Sequence, residues 1–160
     1  KTFIKFTSTK TSLPQRSTKQ AAKIESLLKN AVKHDEEVFC GKILRNDAYI
    51  EPLILKDVSE DKEIYDCETF GPVFFINRVT SINEAIQKVN RSRYGLSTAI
   101  WSSDIIGALD IARSIESGAV HVNGNTVHDE PTLPHGGVKE SGYGRFNGLW
   151  GLREFQYTKT

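Results

Sequence analysis

Three histidines, His121, His128 and His135, fall within one stretch of 15 residues. The last two are surrounded by carboxylates and glycines, in the runs Val127-His128-Asp129-Glu130 and Pro134-His135-Gly136-Gly137. Imidazole titrates near neutrality, and a neighbouring carboxylate can fix its tautomer, so residues of these types can pass protons in both directions. The pattern predicts His128 and His135 as acid and base, oriented by Asp129 or Glu130. His121 alternates with Val120 and Val122 and is expected to pack in a strand. Seven-residue histidine spacings in a loop match no ligand pattern, so no metal is expected. The two cysteines are poor nucleophile candidates. Cys40 reads as a small buried hydrophobe, and Cys67 lies between Asp66 and Glu68, whose charges oppose a thiolate. Ser26-Leu27-Leu28-Lys29 fits an SxxK string but falls within an amphipathic helix. There is no GxGxxG after a strand, and the glycines near Lys139 lack the Walker spacing.

These residues need a scaffold. Thr2 to Thr7 alternates as a strand and is followed by a loop to residue 16. Ile24, Leu27, Leu28, Ala31 and Val32 then recur at helical spacing, and Ser17 with Gln20 resembles a capping box, predicting a helix from Ser17 to about His34. Two strand-like runs follow, Glu37–Cys40 and Ala48–Leu55, and Pro52 argues that the second is not central. After the acidic connector Asp57–Asp66, Val73–Val79 reads as a strand covered on both faces. Ser81-Ile82-Asn83-Glu84 is a second capping box, opening a helix whose buried stripe is Ile82, Ala85, Ile86 and Val89. Ser97–Trp101 is a strand, Asp104 caps a helix lined by Ile105, Ala108, Leu109, Ala112 and Ile115, and Ala119–Val122 is a third strand. Strands alternating with helices call for parallel pairing, hence an α/β fold with an open, mainly parallel sheet and flanking helices.

From Asn123 to Gly151 periodicity stops, and seven of the twelve glycines lie there. The stretch begins at the carboxyl end of a parallel strand, where open α/β sheets place ligand crevices. Leu152–Thr158 alternates again and is expected to be a terminal strand through which copies associate as a homo-oligomer. The organisation expected is an N-terminal strand and loop over 1–16, an α/β lobe over 17–151 and an association strand over 152–160.

Composition bounds the partners. With 38 % apolar and 26 % charged residues the chain suits neither disorder nor a membrane span. A net charge of +1 lacks the basic field that nonspecific nucleic-acid binding uses. A small-molecule partner is therefore expected, with no nucleic acid and no membrane. Two cysteines with no CxxC pair, and no secretory leader, suit a reducing, cytoplasmic setting. The sequence opens on Lys1 and contains no methionine, so the native initiator is expected to be missing.

Four segments carry a resemblance. Glu68-Thr69-Phe70-Gly71-Pro72-Val73, Asn90-Arg91-Ser92-Arg93-Tyr94-Gly95-Leu96-Ser97, Gly118-Ala119-Val120-His121-Val122-Asn123, and the run from Pro134 to Arg145 resemble, in order and spacing, motifs from the C-terminal part of the aldehyde dehydrogenase superfamily. Val127–Glu130 with Leu133–Gly137 further resembles the fungal vanillin and salicylaldehyde dehydrogenase branch, which implies aromatic aldehydes as the ancestral substrates. The resemblance implies that Glu68 holds a nicotinamide ribose and that Phe70 lies against the nicotinamide. It places Val127, His128 and His135 along an aldehyde tunnel, with Asn123 and Asn125 of the same loop as further substrate contacts. It assigns Leu152–Thr158 to subunit association.

Departures from the family pattern shape the functional expectation. Neither Cys40 nor Cys67 stands at the family's nucleophile motif, and the family's general-base glutamate and oxyanion asparagine have no match. Phe6-Thr7-Ser8-Thr9-Lys10 resembles the family's F-T-G-S-T segment, which implies an internal deletion. The favoured expectation is a shortened relative that uses no cofactor and performs isomerisation, dehydration or cyclisation of a small hydrophobic or aromatic carbonyl-type compound through His128 and His135. One alternative is the C-terminal portion of an NAD-dependent aromatic aldehyde dehydrogenase, with NAD as its cofactor. Another is a non-catalytic partner of a full-length dehydrogenase.

Overall fold

A computed structural model of the chain describes residues 14–32 and 38–160, together with the backbone but not the side chains of residues 39 and 40. The expected N-terminal strand, the F-T-G-S-T-like segment, the helix end near His34 and the Cys40 side chain lie outside the described residues. The chain divides into two compact units, Lys1–Arg78 and Val79–Thr160, a boundary that falls inside the stretch expected to form one lobe.

In the first unit, helix α1 (Thr18–Ala31) starts where Ser17 Oγ accepts the Gln20 backbone N–H at 3.2 Å. The apolar stripe of α1, Ala21, Ile24, Leu27, Leu28 and Ala31, is buried against Ile50, Leu53, Leu55, Val58 and Ile64. Leu27 and Leu28 are therefore core residues, and the SxxK string is part of a packing face. Strand β1 (Val38–Cys40) is followed by the short hairpin β2 (Arg45–Asn46) and β3 (Tyr49–Ile50), then β4 (Leu53–Lys56), the one-turn helix α2 (Glu63–Asp66) and β5 (Val73–Ile76). The sheet order is β1-β4-β5, antiparallel then parallel, with Leu53 opposite Val73 and Lys56 opposite Ile76.

Two expectations are corrected here. Leu53–Lys56 is the central strand of this sheet, because Pro52 precedes its first ladder residue and so removes no ladder donor. β5 is covered on one face only: Val73 and Phe75 pack on the core, whereas Phe74 and Ile76 are exposed. An unbroken apolar run does not reveal by itself which face is covered.

The second unit contains α3 (Ile82–Arg91), β6 (Tyr94–Gly95), β7 (Ser97–Ile100), α4 (Ile105–Ala112), β8 (Ala119–Val122), β9 (Val138–Lys139) and α5 (Gly148–Glu154). Both predicted caps form: Ser81 Oγ accepts Glu84 N–H at 3.1 Å, and Asp104 Oδ1 accepts Gly107 N–H at 2.9 Å. β7 and β8 pair in parallel, Ser97 opposite Ala119 through Ile100 opposite Val122, while β6 pairs with β9 antiparallel. The helices' apolar stripes are only partly covered. Ile82 and Val89 of α3 and Ile105 and Leu109 of α4 are exposed, and Ala108 is the one fully buried hydrophobic residue among the unit's described residues. The expected terminal strand is corrected over Leu152–Glu154, since Gly148–Glu154 is helical; beyond it Phe155 and Tyr157 are almost fully exposed. The helix end closes with local bonds, Phe155 N–H to Leu152 O and Gln156 N–H to Arg153 O. No helix among the described residues is long and apolar enough to cross a membrane.

Candidate functional site

The histidine loop begins where β8 ends, and Asn123 makes the turn. Its backbone is left-handed at φ 55°, and its side chain is bonded to Ser102 through both polar atoms: Oδ1 accepts Ser102 N–H and Nδ2 donates to Ser102 O, both at 2.9 Å. Asn123 is thereby a structural tie between the segments that follow β7 and β8. Asparagine is among the few side chains suited to a positive φ, so one residue makes both the turn and the tie. Asn125 closes the next turn, its Oδ1 accepting Val127 N–H at 3.1 Å. That leaves Val127 at the tip, 88 % exposed.

Beyond the tip, the four acid–base candidates form two separate pairs. His128 Nε2 lies 2.9 Å from Glu130 Oε1, both exposed, and its ring stands edge-on to His121 at 6.4 Å between centroids. His135 Nδ1 lies 3.3 Å from Asp129 Oδ1, which also accepts Asn147 Nδ2 at 3.0 Å. The His135 ring packs on Phe146 at 4.9 Å, and the two backbones exchange hydrogen bonds of 3.0 and 2.9 Å. Each imidazole therefore has its own carboxylate. His128 sits in the open, whereas His135 is locked between Asp129 and Phe146. His121 is in β8, as expected.

What fixes this loop is a set of residues to which the sequence reading gave no role. Lys139, left-handed at φ 56°, directs Nζ to Asn90 O at 2.6 Å, Ser92 O at 3.0 Å and Glu116 Oε2 at 2.8 Å. A cation placed on the last carbonyls of α3 also meets the negative end of the helix dipole. Ser141 Oγ accepts Gly95 N–H at 2.9 Å, and Arg145 Nη1 donates to Gly137 O and Gly144 O. Gly118 passes so close to Gly136 O that any Cβ there would collide with it. The signal available in the sequence was their clustering in the glycine-rich run from Pro134 to Arg145. Asn90 spends its side chain on Ser114 O and Glu116 N–H.

Glu68 and Phe70 lie in the first unit, and their surroundings differ. Glu68 is exposed. Phe70 is 75 % exposed and has φ 52°, a conformation in which a bulky residue is an outlier. Cys67 is half-buried and packs on the core, with Sγ 3.8 Å from Glu68 O. Among the described residues, no three His, Cys, Asp or Glu side chains converge as metal ligands.

Comparison with known proteins agrees with the segments quoted above. The model of the aldehyde dehydrogenase family matches residues 5–160. A salicylaldehyde dehydrogenase of Pseudomonas putida is 40 % identical over 146 residues, which make up 91 % of this chain and 30 % of that protein. The crystal structure of a salicylaldehyde dehydrogenase from Pseudomonas putida G7, complexed with salicylaldehyde, superposes with a TM-score of 0.84 at 42 % identity, over 89 % of this chain and 29 % of that one. Succinic semialdehyde dehydrogenase from Streptococcus pyogenes, solved with NADP+ as the cofactor, gives 0.83 at 35 % identity, over 92 % and 33 %. The chain thus spans about 30 % of the length of the curated relative it matches. These relatives are bacterial, whereas the resemblance pointed to a fungal branch. All of them are dehydrogenases, which favours the oxidoreductase alternative over an isomerase, lyase or cyclase.

Proposed function

Because the chain belongs to the aldehyde dehydrogenase family, we propose that it supplies the C-terminal share of an NAD(P)-dependent aromatic aldehyde dehydrogenase. Its own residues would hold the nicotinamide end of the cofactor and line the approach of the aldehyde. The carrying observation is the 42 % identity and TM-score of 0.84 to a salicylaldehyde dehydrogenase, sustained over 89 % of this chain. Residues in the first unit fit that cofactor end: Glu68 offers a free-standing carboxylate for ribose hydroxyls, and Phe70, two residues on, offers an exposed ring face for a planar heterocycle. Bound there, the nicotinamide would supply the hydride acceptor. In the second unit Val127 and His128 are exposed residues of the loop that would meet an aromatic aldehyde, with Glu130 holding the His128 ring. His135 keeps the loop in place through Asp129 and Phe146. The attacking thiolate lies outside this reading, since Cys67 is committed to packing.

The test is a chimera in which this chain replaces the matching part of the Pseudomonas putida salicylaldehyde dehydrogenase. It should reduce NAD+ with salicylaldehyde, and Phe70→Ala should raise the KM for NAD+ several-fold. A folded chimera that binds NAD+ yet oxidises no salicylaldehyde would overturn the proposal.

A further inference from the structure

Phe70 combines a costly backbone with an exposed ring, so burial does not repay its conformation. Such a residue persists only where its neighbours are fixed on both sides, and α1 does the fixing. On one side, Gln20 Nε2 donates to Thr69 O at 3.0 Å, a half-buried bond spanning 49 positions of sequence. On the other, Gly71 lies against Ile24, close enough that a Cβ would come within 2.5 Å of Ile24 Cδ1. Beyond it, Val73 N–H returns to Gly71 O at 2.8 Å and Leu53 N–H binds Pro72 O at 3.0 Å. With Thr69 and Gly71 anchored, the reversal of the chain falls on Phe70.

The use of Gln20 is informative because its position has another job. Both N-terminal helix boxes place Glu or Gln at the third helical position, from which the side chain ordinarily serves its own helix start. In α3 it does so locally: Glu84 Oε2 accepts Thr80 N–H at 2.8 Å and Thr80 Oγ1–H at 2.7 Å. In α1 only the backbone half of the box forms, and the Gln20 amide is diverted to Thr69.

We propose that Gln20 is a positioning residue, which holds Thr69 O so that Phe70 keeps its left-handed backbone and turns its ring outward as a platform for a planar heterocycle. The identity of that heterocycle, a nicotinamide, rests on the function proposed above. The experiment follows the 13Cα and 13Cβ shifts of Phe70 in the full chain while nicotinamide mononucleotide is titrated in. Wild type should give left-handed shifts. Gln20→Met, which keeps the side chain's bulk and lacks the donor, should move Phe70 to extended values, leave Phe74, Phe75 and helicity unchanged, and weaken the mononucleotide about tenfold, the worth of one hydrogen bond. Phe70→Gly should raise the melting temperature, because glycine takes this φ without strain. Left-handed Phe70 shifts that survive in Gln20→Met would overturn the role of Gln20. If instead the shifts move as expected but wild type takes up no mononucleotide, the role of Gln20 is supported and the cofactor reading falls.

Discussion

The segment around Phe70 and the loop from Asn123 to Arg145 are held in opposite ways. The first is backed by a packed layer, with five α1 side chains buried against Ile50, Leu53, Leu55, Val58 and Ile64. The second rests on side chains bonded to backbone: Asn123 on Ser102, Ser141 on Gly95, Lys139 on Asn90 and Ser92, and Arg145 on Gly137. Packing yields when volume is removed, whereas polar ties yield when single atoms are removed. The difference also bears on function: a platform for a rigid ring gains from a stiff support, and a loop held by a few ties can be retuned for a new substrate without disturbing a core.

The largest effect should come from the packed side. Leu28→Ala should cost about 2–5 kcal/mol in denaturant unfolding, since Leu28 is fully buried in the core cluster. Ile106→Ala, on the exposed face of α4, should stay within about 0.5 kcal/mol. Equal losses in the two variants would break the comparison.

Next is Lys139→Met, which removes the cation from two carbonyls and from Glu116. A cost of about 1–3 kcal/mol is expected. Hydrogen exchange should quicken in the β6–β9 ladder, which Lys139 itself shares. A smaller and more diagnostic effect separates the two tasks of Asn123. Asn123→Gly loses the Ser102 bonds but suits the positive φ, so it should retain about 1 kcal/mol more stability than Asn123→Ala. If the two variants prove equally stable, the backbone conformation contributes nothing and the Ser102 bonds carry the whole tie.

These cases also mark where the sequence was legible. Cap residues Ser17, Ser81 and Asp104, the stripe from Ala21 to Ala31 and the β7–α4–β8 cycle follow from short-range rules, and the structure has them. Leu152–Glu154 misled because alternation over so few residues fits the last turn of a helix as readily as a strand. His128 and His135 fall in one loop, as the sequence indicates, but their division into His128 with Glu130 and His135 with Asp129 depends on the turn at Asn125 and on Asn147, 18 positions from Asp129. Gln20 was assigned to its helix cap, because nothing local distinguishes a side chain that caps from one that reaches 49 residues away.

The smallest effect lies on the surface of the packed unit and tests whether charge adds to that packing. Glu25 receives Lys29 Nζ at 2.7 Å on one oxygen and Arg45 Nε at 2.6 Å on the other, joining α1 to β2. The hydrogen bond from Lys29, then that from Arg45, holds the Glu25 carboxyl below the ordinary glutamate range. A pKa depressed in the folded state stabilises at any pH above the unfolded glutamate value. That contribution fades as acid brings the pH down through the folded value, where both states are protonated. Wild type should therefore exceed Glu25→Gln slightly in melting temperature at neutral pH, the gap closing below the glutamate range and shrinking in high salt, as exposed pairs do. A gap that persists unchanged in strong acid would mean that Glu25 acts through its side-chain packing on α1 and not through its charge.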